Sequence, residues 1–302
     1  MKYREQNYLR YLPAGGRLDS AESPPEHGQH FPEEQGTSQQ LVREVAVGIN
    51  YNGLNYAVMM ASPEDLEDFA LGFSLTSRVI EGREQILDIE LVEADEGVLV
   101  EVTLNQRALS HFRQQRRSLA GTSGCGLCGV EALSQALSFG AVRNESFSQD
   151  VYSPLPPAEQ FTDLRARFHA AQKHRELRGA MHCALYVDES GETRLCREDI
   201  GRHNALDKLI GACTAEGLDL RLGFVAVTSR CSLELIQKSV RAGIGTLVSL
   251  SSPSDISVRW AQRYHLNLLH QPASDAARIY SGADIAVNSR GAAEKPSIRD
   301  SQ

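Results

Sequence analysis

The feature that most constrains the fold is an alternation of apolar strands and helices in the second half of the chain. Residues 222–228, 246–250 and 266–269 are short apolar runs typical of buried strands. Residues 232–242 and 254–264 separate them and have the spacing of amphipathic helices. Such alternation requires crossover connections and therefore a partly parallel sheet. The pattern predicts an α/β domain with a mixed sheet.

The same domain is expected to begin near residue 178 and to end near residue 289. Residues 182–187 and 193–196 have the pattern of strands. Residues 204–213 have the pattern of a helix, with Leu206, Leu209 and Ile210 on one face.

Residues 41–140 predict a smaller α+β domain. Residues 42–49 and 54–60 are strand-like, and Asn52-Gly53 between them suits a hairpin turn because both residue types tolerate positive φ. Ser62 is the expected N-cap of a helix that reaches about residue 77, with Pro63 at its first position. Two further strands are expected at 86–93 and 98–104, before a basic helical stretch.

The remaining segments have the composition of tails and linkers. Residues 1–40 and 290–302 are rich in polar residues, proline and glycine, which predicts disorder because they bury too little apolar surface. Residues 141–177 are expected to form a linker followed by a helix over 158–176.

Composition restricts the class of protein. The 302 residues carry a net charge of −8, whereas a nucleic-acid-binding protein usually shows a basic excess. No stretch approaches the roughly 18 apolar residues of a membrane span, and the first residues lack the apolar core of a signal peptide. A cytoplasmic location is therefore expected. Six cysteines in a cytoplasmic chain of this length do not indicate a disulfide framework.

Cys125 and Cys128 stand out among the cysteines because glycines surround them in a small-residue loop over 121–129. Three chemistries use two cysteines at this spacing: zinc binding, dithiol–disulfide exchange, and the carriage of sulfur. Structural zinc needs four ligands, and a second close pair is missing. Thioredoxin-like exchange needs a strand before the pair, but the preceding segment is basic and helical.

Sulfur carriage fits this loop best. A helix is expected to follow the two cysteines, and its N-terminal partial charge favours a thiolate. Arg113, Arg116 and Arg117 would add to that field. Four glycines should make the loop pliable and open, as a mobile sulfur-carrying arm requires. A glycine-rich turn with two unreactive cysteines is the structural alternative.

The second candidate site lies in the charged stretch from Arg197 to Lys208. Such a run is often only a solvated helix start. However, His203 and Asn204 fall at the expected helix N-terminus, where anions bind. Arg197 and Arg202 can bind phosphate, and the carboxylate of Asp199 can pair with the N–H donors of a guanine.

The third candidate site follows the apolar strand at 222–228. Ser229, Arg230 and Ser232 come between this strand and the next helix. Ligands of open α/β sheets lie beyond the carboxyl ends of the strands, so these residues could hold a phosphate. Ordinary N-capping by Ser232 is an equally good explanation.

Together these motifs resemble the FdhD family, the sulfur carriers that formate dehydrogenases need. The cysteine loop Ser-Gly-Cys-Gly-Leu-Cys-Gly matches the family's Cys-Gly-x-Cys-Gly. Residues 197–208 match Arg-Glu-Asp-[Ile/Val]-Gly-Arg-His-Asn-Ala-x-Asp-Lys almost in full, and residues 229–234, Lys238, Pro253 and Ile279-Tyr280 also match. The resemblance covers about residues 41–285.

The resemblance implies a function. Cys125 would accept persulfide sulfur from a cysteine desulfurase, with Cys128 assisting, in a sulfurtransferase-type reaction. The acceptor would be the molybdenum cofactor, bis-molybdopterin guanine dinucleotide, before its insertion into formate dehydrogenase or a related molybdenum or tungsten enzyme. The second domain would have a cytidine-deaminase-like α/β fold and bind the cofactor. A homodimer is compatible with the sequence.

Three segments depart from the family pattern. Residues 178–182 read Arg-Gly-Ala-Met-His where the family has Thr-Gly-Gly-x-His, and the usual Ser-Gly-Arg reads Thr228-Ser229-Arg230. The loop at 271–276 lacks the usual glycine and basic residue. The complete set of expected cofactor-binding residues is Arg197, Asp199, Arg202, His203, Asn204, Ser229, Arg230, Ser232, Gln271, Pro272, Ala273, Ser274, Asp275 and Ala276.

Two other functions remain open from the sequence. The chain could bind the molybdenum cofactor as a chaperone without transferring sulfur, or it could be a zinc-dependent hydrolase of the deaminase type. No resident metal site is expected under the sulfur-carrier hypothesis.

Overall fold

A computed structural model describes residues 41–95, 97–121, 151–173 and 180–283. Its strands are β1 (Val45–Tyr51), β2 (Leu54–Ala61), β3 (Ile86–Ala94), β4 (Gly97–Leu104), β5 (His182–Val187), β6 (Thr193–Asp199), β7 (Phe224–Arg230), β8 (Thr246–Ser251), β9 (Asn267–His270) and β10 (Arg278–Ser281). Its α-helices are α1 (Leu66–Thr76), α2 (Gln106–Gly121), α3 (Leu164–Ala171), α4 (Arg202–Ala215), α5 (Leu233–Arg241) and α6 (Asp255–Arg263). Short 3-10 helices span Arg83–Gln85 and Ala158–Phe161.

The first four strands form a sheet in the order β2-β1-β4-β3. The pair β1–β4 is parallel, whereas β1–β2 and β3–β4 are antiparallel hairpins. One face of this sheet and helix α1 enclose an apolar core that includes Ile49, Tyr51, Phe69 and Phe112. The hairpin turn contains Asn52 and Gly53 at positive φ, as the sequence predicted.

The second sheet has the order β10-β9-β8-β7-β5-β6. Strands β7, β8 and β9 are parallel, and β5, β6 and β10 run antiparallel to their neighbours. One face packs its apolar side chains against α4, α5 and α6. The other face packs against the 3-10 helix at Ala158–Phe161 and α3 through Phe161, Leu164 and Phe168. The result is a three-layer arrangement that confirms the predicted α/β fold class with mixed sheets.

The two sheets are joined by a close crossing of α1 and α4. A Cβ atom added at Gly72 of α1 would overlap the backbone oxygen of Asp207, and one added at Gly211 of α4 would overlap that of Asp68. The two helix backbones therefore touch without intervening side chains. This contact fixes α4 against the first sheet, and with it the charged stretch from Arg197 to Lys208, which we call the signature segment.

Several predicted boundaries differ from the structure. Helix α1 begins at Leu66 rather than at Pro63, because Ser62 Oγ, the expected capping group, accepts instead from the backbone N–H of Ile200 over 3.1 Å. The helix predicted over 158–176 is divided into the 3-10 helix and α3. Strand β10 was not predicted.

Some predictions concern residues outside the described ranges. These are the tails at 1–40 and 290–302, most of the cysteine loop at 121–129 with Cys125 and Cys128, the helix expected at 130–137, and the parts of the predicted linker and helix at 141–150 and 174–177. In the parts of the chain that are described, no helix is long and apolar enough to cross a membrane.

Candidate functional site

The candidate site lies where the three parallel strands of the second sheet end, and we call it the strand-end edge. Strands β7, β8 and β9 finish there at Arg230, Ser251 and His270. Strand β5 runs antiparallel, so its first residue, His182, reaches the same edge and pairs with Asp199 at the end of β6. The position agrees with the rule that ligands bind beyond the carboxyl ends of strands in α/β sheets.

Three helices also begin at this edge, and two of them begin without a side-chain cap. The N-cap of α4 is Gly201, which has no side chain, and the N-cap of α5 is Ser232, whose hydroxyl does not cap the helix. Only α6 is capped, because Ser254 Oγ accepts from the N–H of Ser257. The first N–H groups of α4 and α5 can therefore receive an anion.

Two arginines at the strand-end edge can contact an anionic ligand. Arg202 is the first residue of α4 and half-buried, and Arg230 is the exposed last residue of β7. Within the described ranges, neither guanidinium forms an ion pair. Each can therefore donate charge-assisted hydrogen bonds to a phosphate.

His203 lies between the starts of α4 and α5. Its Nε2 shares a hydrogen bond of 3.3 Å with Ser232 Oγ and lies 3.4 Å from Glu234 Oε2. Burial lowers the pKa of His203 to about 4, with further lowering by Arg202 and Lys238. The nearby Glu234 would act in the opposite direction, but its side chain is 55% exposed and its charge is screened by water. His203 is therefore neutral at pH 7.

Two other histidines at the edge, His182 and His270, also have a lowered pKa and are neutral at pH 7. Burial lowers the pKa of His182, and Arg202 lowers it further. Burial also lowers the pKa of His270, followed by the effect of Arg278, and Ser252 Oγ lies 3.4 Å from His270 Nδ1. Neutral imidazoles can both donate and accept hydrogen bonds, as recognition of a purine base or a hydroxyl group requires.

Asp199 and Asn204 are buried beneath the edge and already have partners. Asp199 accepts hydrogen bonds from the N–H groups of Ser62 and Gly201 and pairs with Lys208 Nζ at 2.7 Å. Asn204 Nδ2 donates to Asp199 Oδ1 and to the backbone oxygen of Met60. Their predicted role as binding residues stays a prediction. Asp199 and Asn204 can support binding indirectly, because their hydrogen bonds hold the loop before α4 in place.

Arg197 points away from the edge. Its Nη2 lies 2.7 Å from Asp68 Oδ2, and its Nε lies 3.7 Å from Asp65 Oδ2. Because both carboxylates belong to the start of α1, Arg197 links the second sheet to the first. Its predicted contact with a phosphate remains a prediction.

The loop at 271–276 continues the edge beyond β9. Gln271 Nε2 donates to the backbone oxygens of Pro272 and Asp275, which closes the loop. Asp275 also pairs with Arg278 at 2.9 Å, so a basic side chain lies beside the loop although the loop itself has none. The other residues of the predicted set here, Ala273, Ser274 and Ala276, are exposed.

The structure brings most of the predicted binding residues to one edge. Arg202, His203, Arg230 and Ser232 lie together there, and Ser229 is nearly buried at the end of β7 with its backbone oxygen held by Ser249 Oγ. His182 and His270 also lie at this edge, although neither is among the site residues predicted from the sequence.

Arg230 was predicted because ligands bind beyond the carboxyl ends of parallel strands. The same rule covers His270, which ends the parallel strand β9. Applied to β9, it would have found His270.

The comparison with protein families gives a match over most of the chain. The sequence profile of the FdhD/NarQ family matches residues 42–286. A "Sulfur carrier protein FdhD" from Bordetella petrii is 40% identical over 244 residues, which are 81% of this chain and 85% of that protein. The protein of the same name from Cupriavidus necator is 39% identical over 247 residues, covering 80% and 82% of the two chains.

A solved structure has a similar fold. The crystal structure of a putative formate dehydrogenase accessory protein from Desulfotalea psychrophila superposes with a TM-score of 0.59 at 20% sequence identity. The match covers 83% of this chain and 92% of that one. At this identity the likeness concerns the fold alone.

Proposed function

Because the chain belongs to the FdhD/NarQ family, we propose that it is a sulfur carrier that serves a formate dehydrogenase. The sulfur donor is the persulfide of a cysteine desulfurase, and the acceptor is the molybdenum cofactor, bis-molybdopterin guanine dinucleotide. Cys125 carries the sulfur, Cys128 assists its release, and the strand-end edge binds the cofactor. Relatives named as sulfur carriers that share about two-fifths of the aligned residues support the first part.

The sulfur-accepting step is a thiol exchange that needs no added oxidant. The thiolate of Cys125 attacks the outer sulfur of the donor's persulfide, the sulfur–sulfur bond of the donor breaks, and the donor leaves as a thiolate. Cys125 then holds the transferred sulfur as its own persulfide.

Release of the sulfur uses the second cysteine as a reductant. Cys128 attacks the inner sulfur at Cys125, a disulfide forms between them, and hydrosulfide leaves toward the acceptor. The two thiols supply the two electrons, and a cellular dithiol must reduce the disulfide before the next cycle.

The observation that carries the cofactor-binding half is the gathering of anion-binding groups at the strand-end edge. The guanidinium groups of Arg202 and Arg230, which form no ion pair with other described residues, lie beside the starts of α4 and α5, and neither helix start has a side-chain cap. These groups suit the diphosphates of a guanine dinucleotide. The neutral imidazoles of His182 and His203 suit its base and sugar hydroxyls.

The sulfur-carrying half is tested by intact-protein mass spectrometry after incubation with a cysteine desulfurase and cysteine. We expect the mass to rise by one sulfur atom, to return to its starting value with reductant, and not to rise in Cys125→Ala. Absence of this gain with an active desulfurase favours the alternative in which the chain only holds the cofactor.

The cofactor-binding half is tested by calorimetry with GDP as the probe. Loss of one phosphate contact in Arg230→Ala should weaken binding about 10- to 100-fold. Arg194→Ala is the matched control, because Arg194 lies near the opposite end of β6 and pairs with Asp188. Equal binding by both variants would contradict the assignment of the strand-end edge.

The zinc-hydrolase alternative is tested by metal analysis of the purified chain. Among the described residues, no three His, Cys, Asp or Glu side chains group as a metal site. The two cysteines of that alternative lie outside those residues. One tightly bound zinc ion per chain would favour the hydrolase, and active metal-free protein would exclude it.

A further inference from the structure

A second pair of cysteines lies in the interior, away from the cysteine loop. Cys183 is on β5 and Cys196 is on β6, and their Sγ atoms are 3.2 Å apart. Cys183 is opposite Glu198 and Cys196 is opposite Leu185, so the two cysteines are diagonal neighbours on the same face of the sheet. The proposed sulfur carriage uses neither of them.

The two thiols differ in their access to solvent. Cys183 is 1% exposed within the apolar layer beneath α3, whereas Cys196 is half-buried at the margin of this layer. Cys196 also lines a small cavity together with Met181, Lys173 and three acidic residues, Glu64, Asp65 and Glu198. A reagent from solvent therefore meets Cys196 first, and Cys183 lies directly behind it.

The other two described cysteines lack this arrangement. Cys213 and Cys231 are each buried singly in the apolar core on the opposite face of the second sheet. Burial raises the pKa of each of these two thiols to about 12. They differ from Cys183 and Cys196 in geometry, because among the described residues neither has a second cysteine Sγ beside it. They serve as internal controls for the pair.

We propose that Cys183 and Cys196 form a reversible disulfide site that reacts with small-molecule disulfides of the glutathione class. In the first step Cys196 attacks glutathione disulfide, forms a mixed disulfide and releases one glutathione. The mixed disulfide removes the Cys196 thiol, whose hydrogen bond is the first cause, ahead of burial, of the raised pKa of Cys183. In the second step Cys183 attacks Cys196 Sγ, and the second glutathione leaves with the proton of Cys183. Two protein thiols are oxidised and one glutathione disulfide is reduced to two thiols.

The fold permits this bond with a small movement. A disulfide has a sulfur–sulfur length of about 2.05 Å, so the two sulfur atoms must approach by about 1.2 Å. Strand β6 is the edge strand of the sheet and is held by β5 on one side only. Because β5 and β6 are already hydrogen-bonded at the spacing of a sheet, the approach comes from rotation of the two cysteine side chains and not from movement of the strands.

The position of the pair connects its redox state to the candidate site. Cys196 precedes Arg197, whose guanidinium contacts Asp68 of α1, and the same strand ends at Asp199. A disulfide would tie this segment to β5, next to His182 at the strand-end edge. The proposal does not depend on sulfur carriage by the cysteine loop.

The experiment uses the full chain with Cys125→Ser and Cys128→Ser, so that only four of the six cysteines remain. The protein is equilibrated in glutathione buffers from reducing to oxidising, denatured and alkylated, and its mass is measured. We expect two of the four thiols to escape alkylation in oxidising buffer, and dithiothreitol to restore both. Proteolysis should then yield one cross-linked peptide pair that contains Cys183 and Cys196.

Two further variants make the test decisive. Adding Cys196→Ser should abolish the loss of the two thiols, and because this residue is half-buried the fold should tolerate the change. Cys213→Ser should leave the reaction unchanged wherever the variant folds, as judged by circular dichroism. Four alkylated thiols in the most oxidising buffer, or a cross-link that involves Cys213 or Cys231, would overturn the proposal.

Discussion

Replacing Lys208 with methionine should strongly destabilise the protein. The ammonium group is fully buried and lies 2.7 Å from the equally buried carboxylate of Asp199. It also donates to the backbone oxygens of Ser62 at 3.0 Å and Glu198 at 3.4 Å. Methionine fills a similar volume but leaves one buried carboxylate without its cation.

The expected loss follows from these contacts. Breaking a buried pair by removing one partner costs about 3–5 kcal/mol. Asp199 keeps hydrogen bonds from Ser62, Gly201 and Asn204, so we take the lower end of this range, about 3 kcal/mol, for the charge contribution. The loss of the donor to Ser62 adds about 1 kcal/mol. We therefore expect Lys208→Met to lower the free energy of unfolding by about 4 kcal/mol.

Urea unfolding followed by circular dichroism measures this loss. With a slope of about 2–3 kcal/mol per molar urea, the midpoint should fall by about 1.3–2 M. Arg259→Met is the control, because Arg259 pairs with Asp255 on the surface, where the two side chains are 68% and 84% exposed. This control should change the stability by less than about 0.5 kcal/mol.

A double variant separates the buried charge from the lost packing. Asp199→Asn combined with Lys208→Met removes both charges, and it should recover part of the stability that the single variant loses. A loss below about 1 kcal/mol in Lys208→Met would refute the argument, because it would mean that water or another cation compensates the carboxylate.

Two further predictions concern the helix crossing and the edge histidine. Gly72→Ala and Gly211→Ala should each lower the free energy of unfolding by about 1–3 kcal/mol in thermal melts, because the added methyl groups separate α1 from α4. An unchanged melting temperature would contradict the close crossing. His203 has a pKa of about 4 in the folded chain against about 6.5 in the unfolded chain, so its contribution to stability is complete above pH 6.5 and is lost as the pH falls toward 4. Urea unfolding between pH 7 and 4.5 should show this loss, at most about 3 kcal/mol, and His203→Gln should reduce it; an equal loss in the variant would show that other groups cause it.

The sequence predicted the elements of the second sheet well because their signal is local. Each strand there is a short apolar run, and each helix presents apolar residues at helical spacing. The order of the strands in the first sheet could not be predicted in the same way. The parallel pairing of β1 with β4 depends on contacts between residues about 50 positions apart. Strand β10 was missed because it is a short edge strand with two exposed residues.

The start of α1 shows why local capping signals can fail. Ser62 and Pro63 have the sequence of a helix start, but the partners of Ser62 lie in the signature segment, more than 130 residues away. Its N–H bonds to Asp199 and its hydroxyl accepts from the N–H of Ile200. Two long-range hydrogen bonds at a buried position outweigh one local cap.

The signature segment shows the same limit within the candidate site. Residues 204–213 were expected to be apolar on one face, but all ten are buried, because the opposite face of α4 packs against α1. Two charged residues of α4 consequently form ion pairs in the interior. Asp207 pairs with Lys238 at 2.7 Å, and Lys208 pairs with Asp199. A charge run in the sequence does not reveal which of its members find such partners.

The structure therefore divides the charged signature into two groups with different physical roles. Asp199, Asn204 and Lys208 are buried and hold the loop before α4 against the first sheet. Arg202 and His203 are the first two residues of α4, and they face the strand-end edge. Because the loop determines where the N–H groups of α4 point, a change in the buried group should alter ligand binding through position rather than through contact. Measuring GDP affinity and stability together in Asp199→Asn and Arg202→Ala distinguishes the two roles: the first should lower both, and the second should lower affinity alone.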